Sequence, residues 1–453
     1  MTLNWLSRTE QLKLTLRGNV FTPEEAGFAE AAAVWNKTIT KQPDIVVMPE
    51  NTEDIIDTVK FARQYNIPLA VKGGGHDWAG RSVGEGGIQI NMRRMNRIDV
   101  NPSEKTAVVQ GGATSMEVIR AAETHRLLPV TGTHDSVGYV GLTLGGGYGP
   151  LSSSLGLAID NVIGADIILD DGTFCRVDEE TYPDLFWAIR GGGGNFGVVV
   201  SLTIRLYDVK PILTGIILFR DSDAGKILRG FNDIMVNAPD NLTVDSGVMH
   251  TPDGKVVAYL IPFWFGESSP EREKHIEALK QLATPIQAEI YETSYSELIA
   301  SLSNNQRKSA PCYALQSRSL PALDNNVINT IVNAVSHSSS PYSLVNIHNN
   351  HGAPTRLPAD YTPFPIRKPH YMVEIIASWN LGDENAQQHE AWATALFEAL
   401  QPTAFPGGYA NIIGPDESEQ IAEVFGDNLQ QLKKIKKKYD PANVFQGIGI
   451  FRQ

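Results

Sequence analysis

Four glycine-rich segments lie between residues 73 and 197, and the first of them ends in a histidine. Residues 73–75 are three glycines that lead directly into His76, and the other segments cover 111–112, 145–149 and 191–197. Glycine lets a ligand approach the backbone closely, and successive exposed N–H groups form concavities that suit a pyrophosphate. One triple glycine could be only a tight turn, but four such segments favour an extended ligand that crosses several loops, and a dinucleotide is the natural candidate.

A second set of polar candidates alternates along residues 345–352. Asn346, His348 and Asn350 would share one face of a strand, because side chains two residues apart point the same way. Substrate or water would have to satisfy these groups, unless that side of the strand simply faces solvent. Trp379 and Tyr148 could each form an aromatic wall beside a substrate, although a place in the hydrophobic core is the alternative for both.

The sequence disfavours several other chemistries. It contains no GxGxxG after a first strand with an acidic residue about 20 positions later, and no GxxxxGK[ST] phosphate loop. No two histidines have the spacing of metal ligands on a helix, and Cys175 and Cys312 are isolated, so we expect no metal site.

Charge and hydropathy bear on partners and location. Lysine and arginine total 38 against 51 acidic residues, a net charge of −13 that repels phosphate backbones and anionic membranes. No run approaches the roughly 18 apolar residues of a membrane span, and the N-terminus lacks the pattern of a signal peptide. We expect a soluble, intracellular protein with neither a nucleic-acid nor a membrane partner. Secretion stays open, since a trimmed signal would leave no trace, and the oligomeric state is not indicated.

Short strands and helices must position the glycine loops. Strands are predicted at 45–47, 69–71, 88–90 and 107–109, with a helix after Asn51, whose side chain can cap it at Asp54. This β-α-β order predicts that the first two strands form a parallel pair. A helix is predicted over 116–127, and Asp171-Gly172 predicts a hairpin after the strand at 162–169.

The pattern changes after Pro211, where glycine loops become scarce and longer strands alternate with helices. Strands are predicted at 212–219, 255–264 and 373–379, with helices near 222–236, 268–282 and 384–399. We therefore place a domain boundary near residue 209. An amphipathic helix is predicted over 421–438, in a final segment that would return to the first domain.

Several motifs together resemble one flavoprotein family. Residues 71–77, VKGGGHD, resemble the flavin-attachment loop of berberine-bridge-enzyme-like oxidases in the vanillyl-alcohol-oxidase/PCMH superfamily, where the histidine of [RK]-x-G-G-H bonds the flavin 8α-methyl group. Further matches follow in the family's order at 131–138, 144–149, 160–162, 184–197, 409–411 and 436–445. The resemblance covers about residues 40–450, nearly the whole chain.

The resemblance implies an α+β fold of two domains. Residues 1–209, with a core at about 40–209, would form the FAD-binding domain, and residues 411–453 would return to it. Residues 210–410 would form a substrate domain, an antiparallel sheet backed by helices that roofs the flavin ring.

The resemblance also implies FAD, bound covalently through His76. A neutral imidazole is a nucleophile, and a loop after a strand can present it rigidly. Many relatives carry a second link from a cysteine at the position of His134, so we expect a single link here, as in 6-hydroxy-D-nicotine-oxidase-like members. His134 could pack beside the flavin, contact substrate or form an unusual second link. The other cofactor-binding residues implied are Lys72, Gly73, Gly74, Gly75, Asp77, Thr131, Gly132, Val137, Gly138, Gly141, Gly194, Gly197, Val199 and Asn411.

The activity implied is that of an FAD-dependent oxidase. Hydride would leave a C–H bond next to a hydroxyl or amine of a small organic substrate, a base would take the O–H or N–H proton, and dioxygen would reoxidise the flavin to give hydrogen peroxide. Candidate bases, in order, are Tyr409, His348 and Tyr148. A small Val137 at the family's oxygen-gating position favours an oxidase over a dehydrogenase. A dehydrogenase with another acceptor, and a flavin-binding protein without turnover, are the alternatives.

The predicted substrate contacts are Asn346, Asn350 and Trp379. Asn346 and His348 slightly favour a hydroxylated substrate over an amine.

Overall fold

Three main β-sheets and thirteen α-helices make up the part of the chain that the computed structural model describes, which is residues 8–306, 310–414, 420, 423–445 and 447–448. Over these ranges, none of the helices is long and apolar enough to cross a membrane.

The first sheet has four strands in the order β1-β2-β4-β3. Its strands are β1 (Asn19–Phe21), β2 (Ile45–Met48), β3 (Leu69–Lys72) and β4 (Ile88–Asn91), and its helices are α1 (Thr9–Thr15), α2 (Phe28–Ala32) and α3 (Thr52–Tyr65). The predicted cap of α3 is confirmed, because the Asn51 side chain accepts the backbone N–H of Asp54 at 2.9 Å. The predicted pairing of the strands at 45–47 and 69–71, which are β2 and β3, is wrong. Both run parallel to β4, which lies buried between them, and local periodicity carries no information on strand order.

The second sheet has five strands in the order β5-β6-β10-β8-β9, and a two-stranded ribbon joins β7 to β11. The strands of this region are β5 (Ile98–Asn101), β6 (Thr106–Gln110), β7 (Leu127–Leu128), β8 (Val162–Ile168), β9 (Phe174–Val177), β10 (Val198–Arg205) and β11 (Tyr207–Asp208). Its helices are α4 (Ser115–Glu123), α5 (Tyr139–Leu144), α6 (Ser152–Leu155) and α7 (Pro183–Ile189). The hairpin at Asp171-Gly172 is confirmed by the pairing of β8 with β9. The helix predicted over 116–127 ends early, because Arg126 takes a left-handed φ of 58° and the chain then enters β7.

The third sheet is antiparallel throughout and has seven strands in the order β15-β12-β14-β13-β17-β18-β16. Its strands are β12 (Ile212–Arg220), β13 (Leu242–His250), β14 (Val256–Phe265), β15 (Gln287–Thr293), β16 (Cys312–Leu320), β17 (Leu344–Asn350) and β18 (His370–Trp379). Its helices are α8 (Ala224–Met235), α9 (Pro270–Lys280), α10 (Tyr295–Gln306), α11 (Asn325–Ser336) and α12 (Ala386–Leu400). One face of this sheet packs on α8, α11 and α12 around a buried core, and its other face is turned to the glycine loops.

The C-terminal segment packs against the first two sheets. Helix α13 (Leu429–Tyr439) buries Leu432 and Ile435 in the core that contains Phe186, and Phe445 forms an isolated parallel bridge with Leu69 of β3. The helix predicted over 421–438 begins late, because a 3₁₀ turn at Gly426–Asn428 precedes α13. Residues 421 and 422 lie outside the described part of the chain.

Candidate active site

A cavity of about 1150 Å³ lies between the glycine loops and the free face of the third sheet. Pockets for small ligands commonly enclose roughly 300–1000 Å³, so this one can hold a dinucleotide together with a substrate. Most residues predicted to bind the cofactor line it: Gly73, Gly74, Gly75, His76, Asp77, Gly132, His134, Val137, Gly138, Gly141, Gly194, Gly197, Val199 and Asn411.

Lys72 and Thr131 were also predicted to bind the cofactor, but neither lines the cavity. The Lys72 ammonium group donates to the carbonyls of Ala31 and Ala33, and burial lowers its pKa to about 8. The Thr131 hydroxyl is buried and lies 3.0 Å from the hydroxyl of Tyr295. Both side chains are satisfied by protein groups, and they hold loops in place behind the cavity.

The glycines of the cavity fall into two kinds. Some permit close packing within the protein: a Cβ at Gly74 would lie 2.2 Å from the nitrogen of Gly138, and one at Gly145 would lie 2.0 Å from the side-chain oxygen of Asn411. Gly141 and Gly194 differ, because a Cβ at either would meet no protein atom within 4 Å. These two positions leave open a space that a side chain would fill, as a cradle for an extended cofactor requires.

His76 is held by a short chain of polar contacts. Its Nε2 lies 2.9 Å from Ser136 Oγ, which in turn lies 3.2 Å from Nδ1 of His134. Trp35 stacks on the His76 ring at a centroid distance of 5.3 Å. Tyr313 stacks on Trp35 in turn, at 4.0 Å. The imidazole therefore has a fixed orientation at the cavity wall, with a hydroxyl group placed to exchange its proton.

Two tyrosines meet on the loop side of the cavity. The Tyr409 oxygen accepts the backbone N–H of Gly147 at 2.8 Å and the Nδ2–H of Asn411 at 2.9 Å. Burial raises the pKa of Tyr409 to about 12, and these two donors oppose that rise because they favour the phenolate. The Tyr148 ring contacts the ring of Tyr409 edge-on, and burial together with the nearby charge of Glu374 raises its pKa well above the ordinary value.

A charged cluster covers the sheet side of the cavity. His348 on β17 lies between Asp245 on β13, with 2.9 Å from Nδ1 to Oδ1, and Glu374 on β18, with 3.4 Å from Nε2 to Oε2. Burial alone would lower the pKa of His348, but the two carboxylates outweigh it and raise the pKa to about 10. Although burial acts to raise the pKa of Glu374, its hydrogen bond with His348 lowers it. At neutral pH the cluster is thus an imidazolium between two carboxylates.

Asn346 joins this cluster to a third tyrosine. Its Oδ1 accepts a hydrogen bond from the Tyr259 hydroxyl, and its Nδ2 donates to Glu374 Oε2 at 3.0 Å. Of these partners, Asp245, Tyr259 and Glu374 were not predicted as site residues. The sequence did contain a signal for these carboxylates, namely an ionisable residue inside an otherwise apolar strand. Glu374, between Val373 and Ile375, is the example.

Two predicted substrate contacts lie elsewhere. Trp379 shares the face of β18 that carries Val373 and Ile375, so it packs in the helix-side core and does not reach the cavity. Asn350 lies at the end of β17 and lines a separate pocket of about 10 Å³ behind His348. Asn346 and His348, by contrast, line the main cavity beside Tyr148 and Tyr409.

Comparisons with known proteins assign this architecture. The model of an FAD binding domain matches residues 43–178, and the model described as berberine and berberine like matches residues 408–447. The (R)-6-hydroxynicotine oxidase of Paenarthrobacter nicotinovorans is 26% identical over 453 residues, covering 96% of each chain. The FAD-linked oxidoreductase YgaK of Bacillus subtilis is 28% identical over 444 residues, covering 96% of this chain and 97% of its own. The crystal structure of 6-hydroxy-D-nicotine oxidase from Arthrobacter nicotinovorans superposes with a TM-score of 0.88 at 25% identity, covering 96% and 98%.

These matches confirm the predicted α+β flavoprotein fold and FAD as the cofactor class. The glycine loops and the open space at Gly141 and Gly194 suit that group. The covalent link, the roles of individual residues and the domain boundaries stay predictions.

Proposed function

We propose that this chain, which belongs to the berberine-bridge-enzyme-like FAD-linked oxidoreductases, is an oxidase that removes hydride from a C–H bond next to a hydroxyl or amine of a small organic substrate. Bound FAD would supply the redox chemistry, taking up the two electrons as hydride and passing them to dioxygen to give hydrogen peroxide. The observation that carries the proposal is one continuous cavity that runs from His76 to the cluster of Tyr148, His348 and Tyr409.

His76 is proposed as the single covalent anchor. The stacked Trp35 and the hydrogen bond with the Ser136 hydroxyl hold its ring in one orientation for the link. His134 lies beside it, with ring centroids 4.8 Å apart, and fits a role in packing beside this loop.

Tyr409 is proposed as the base that takes the O–H or N–H proton. The phenolate is the form of Tyr409 that accepts a proton, and two N–H donors point at its oxygen and stabilise it against the burial that raises the pKa to about 12. His348 suits this role poorly, since both of its ring nitrogens are already engaged, one with Asp245 and the other with Glu374. Tyr148 suits it poorly as well, because burial and the charges of Glu374 and Asp245 raise its pKa well above the ordinary value, whereas the two N–H donors at Tyr409 oppose the rise there.

Acid precipitation of the purified protein tests the anchor. Wild-type protein should keep its yellow colour in the pellet and gain the mass of one FAD, whereas His76→Ala should release its flavin. His134→Ala is the matched control, because it removes a neighbouring imidazole and should leave the flavin attached. Release of all flavin from the wild type would leave noncovalent FAD, and absence of flavin from both fractions would end the proposal.

The rate of reoxidation in air tests the acceptor. Val137 lines the cavity, and we expect its small side chain to leave dioxygen a path, so dithionite-reduced protein should regain its oxidised spectrum within seconds. Reoxidation that takes many minutes would instead indicate a dehydrogenase with another acceptor. A broad screen of alcohols and amines in which no compound bleaches the flavin would indicate a flavin-binding protein without turnover.

A further inference from the structure

The charged cluster of Asp245, His348 and Glu374 offers the cavity hydrogen-bond acceptors on its carboxylates, whereas the N–H groups of His348 are already in use. Both ring nitrogens of His348 are engaged, one with Asp245 and the other with Glu374. Only Oδ1 of Asp245 and Oε2 of Glu374 take part in the bonds within the cluster, and an ionised carboxylate has about four acceptor positions. The two carboxylate side chains keep 16% and 14% of their surface exposed, and both line the cavity.

The cluster also carries a net charge. Two carboxylates around one imidazolium leave one negative charge at neutral pH. Among the described lining residues, Arg81 is the only lysine or arginine, and it lies 3.4 Å from the carboxylate of Asp77 next to the His76 loop. Among the described lining residues, no lysine or arginine on the sheet wall therefore balances the negative charge that His348 leaves over.

The surroundings of this charge are apolar. Aliphatic side chains from five strands line the same wall, namely Ile216, Leu218, Ile261, Leu315, Leu344 and Ile376. A net charge that is left uncompensated is costly in such surroundings, and a ligand of opposite charge relieves the cost. The rings of Tyr148 and Tyr259 add faces and edges that can contact a cation or an aromatic body.

From this arrangement we infer that the substrate carries a protonated amine on an apolar body, held at the open oxygens of Asp245 and Glu374, and that carboxylate, sulfate and phosphate compounds are excluded. The inference rests on the proposed function and narrows it. It reverses the expectation of a hydroxylated substrate, because the polar groups of Asn346 and His348 that suggested it are already engaged by Tyr259, Glu374 and Asp245.

Three probes of one shape test the inference on the holoenzyme: 2-phenylethylamine, 2-phenylethanol and phenylacetate. Binding is measured by calorimetry at pH 7.5. The amine should bind about 10- to 100-fold tighter than the alcohol, which corresponds to one charge-assisted hydrogen bond, and phenylacetate should bind most weakly. Tightest binding by the alcohol, equal binding of phenylacetate and the amine, or no binding of the amine would each overturn the inference.

A variant that removes the charge of Glu374 tests whether the preference for the amine arises at this carboxylate. Glu374→Gln should weaken the amine about 10-fold and leave the alcohol within threefold, while Glu390→Gln, on the exposed face of α12, should change neither. Equal weakening of all three probes by Glu374→Gln would overturn the assignment, and the wild-type order stands as a test even if that variant fails to fold. Acid precipitation and dithionite reduction of the same batch report the flavin link and its redox activity, so a wrong substrate class is distinguishable from a wrong function.

Discussion

Replacing Gly141 should separate the stability of the protein from its ability to hold FAD. Gly141 lies within α5, it lines the cavity, and a Cβ there would meet no protein atom within 4 Å. Alanine favours a helix over glycine by about 0.5–1 kcal/mol, so Gly141→Ala should leave the apoprotein as stable as the wild type or slightly more stable. If bound FAD occupies the open space, the same methyl group should hinder it.

The size of the hindrance follows from overpacking. Extra carbon atoms in a filled space cost about 1–3 kcal/mol, which corresponds to roughly 5- to 150-fold weaker binding. Gly141→Leu should exceed this range, since it fills the space with four carbon atoms. Gly225→Ala in α8 is the matched control, because it offers the same helix-propensity gain and its Cβ would lie 3.4 Å from the flexible Arg229 side chain, away from the cavity.

The assay needs an equilibrium, and a covalent flavin would not provide one. We would therefore measure FAD affinity by titration of apoprotein in a His76→Ala background, and stability by thermal unfolding of the same apoproteins. The expected result is weaker FAD binding for both Gly141 variants with an unchanged or higher Tm for Gly141→Ala. Unchanged FAD affinity in Gly141→Leu would refute the assignment of this space to the cofactor, and a lower apoprotein Tm in Gly141→Ala would refute the open-space argument.

Three further predictions concern the reaction and its pH dependence. Tyr409→Phe should slow anaerobic flavin reduction by about 10²–10⁴-fold, the usual contribution of a general base, whereas Tyr371→Phe, which loses a 3.4 Å bond to the Asn232 carbonyl on the helix side of the sheet, should not. Because the folded pKa of His348 is raised from 6.5 to about 10, its contribution to the unfolding free energy is complete below about pH 6.5 and is lost as pH rises towards 10. The difference in Tm between wild type and His348→Gln should accordingly shrink over that pH range. A difference that widens would contradict the pairing of a protonated His348 with Asp245 and Glu374. Val137→Leu should slow reoxidation by dioxygen without changing anaerobic reduction, and equal air rates would remove Val137 as the oxygen path.

Local sequence signals were sufficient where a neighbouring residue decides the structure. The Asn51 side chain caps α3 through a partner three residues away, and the turn at Asp171-Gly172 closes a hairpin of adjacent strands. The glycine loops were also recognisable from the sequence. Where a Cβ would lie 2.2 Å from a backbone atom, as at Gly74, only glycine fits.

The charged cluster could not be read from the sequence in the same way. Asp245, His348 and Glu374 are separated by 103 and 26 residues along the chain, and the strand order β13-β17-β18 brings them together. Periodicity correctly places Asn346 and His348 on one face, but it does not say that their polar groups are engaged within the protein. For Trp379 the sequence did not show which face of the sheet its side chain lies on. Successive residues of a strand point to opposite faces, so a shift of one residue separates the cavity face from the helix face.

The docking of Phe445 beside Leu69 bears on how the protein is made. Phe445, Gly447 and Ile448 line the cavity, although nearly all the loops that face them are synthesised long before. The first two sheets can begin to fold as they leave the ribosome, yet the wall of the cofactor cavity remains incomplete until these late residues arrive. We therefore expect FAD loading to come late in biogenesis, and a ribosome-stalled chain that ends at residue 430 should be folded in part and colourless.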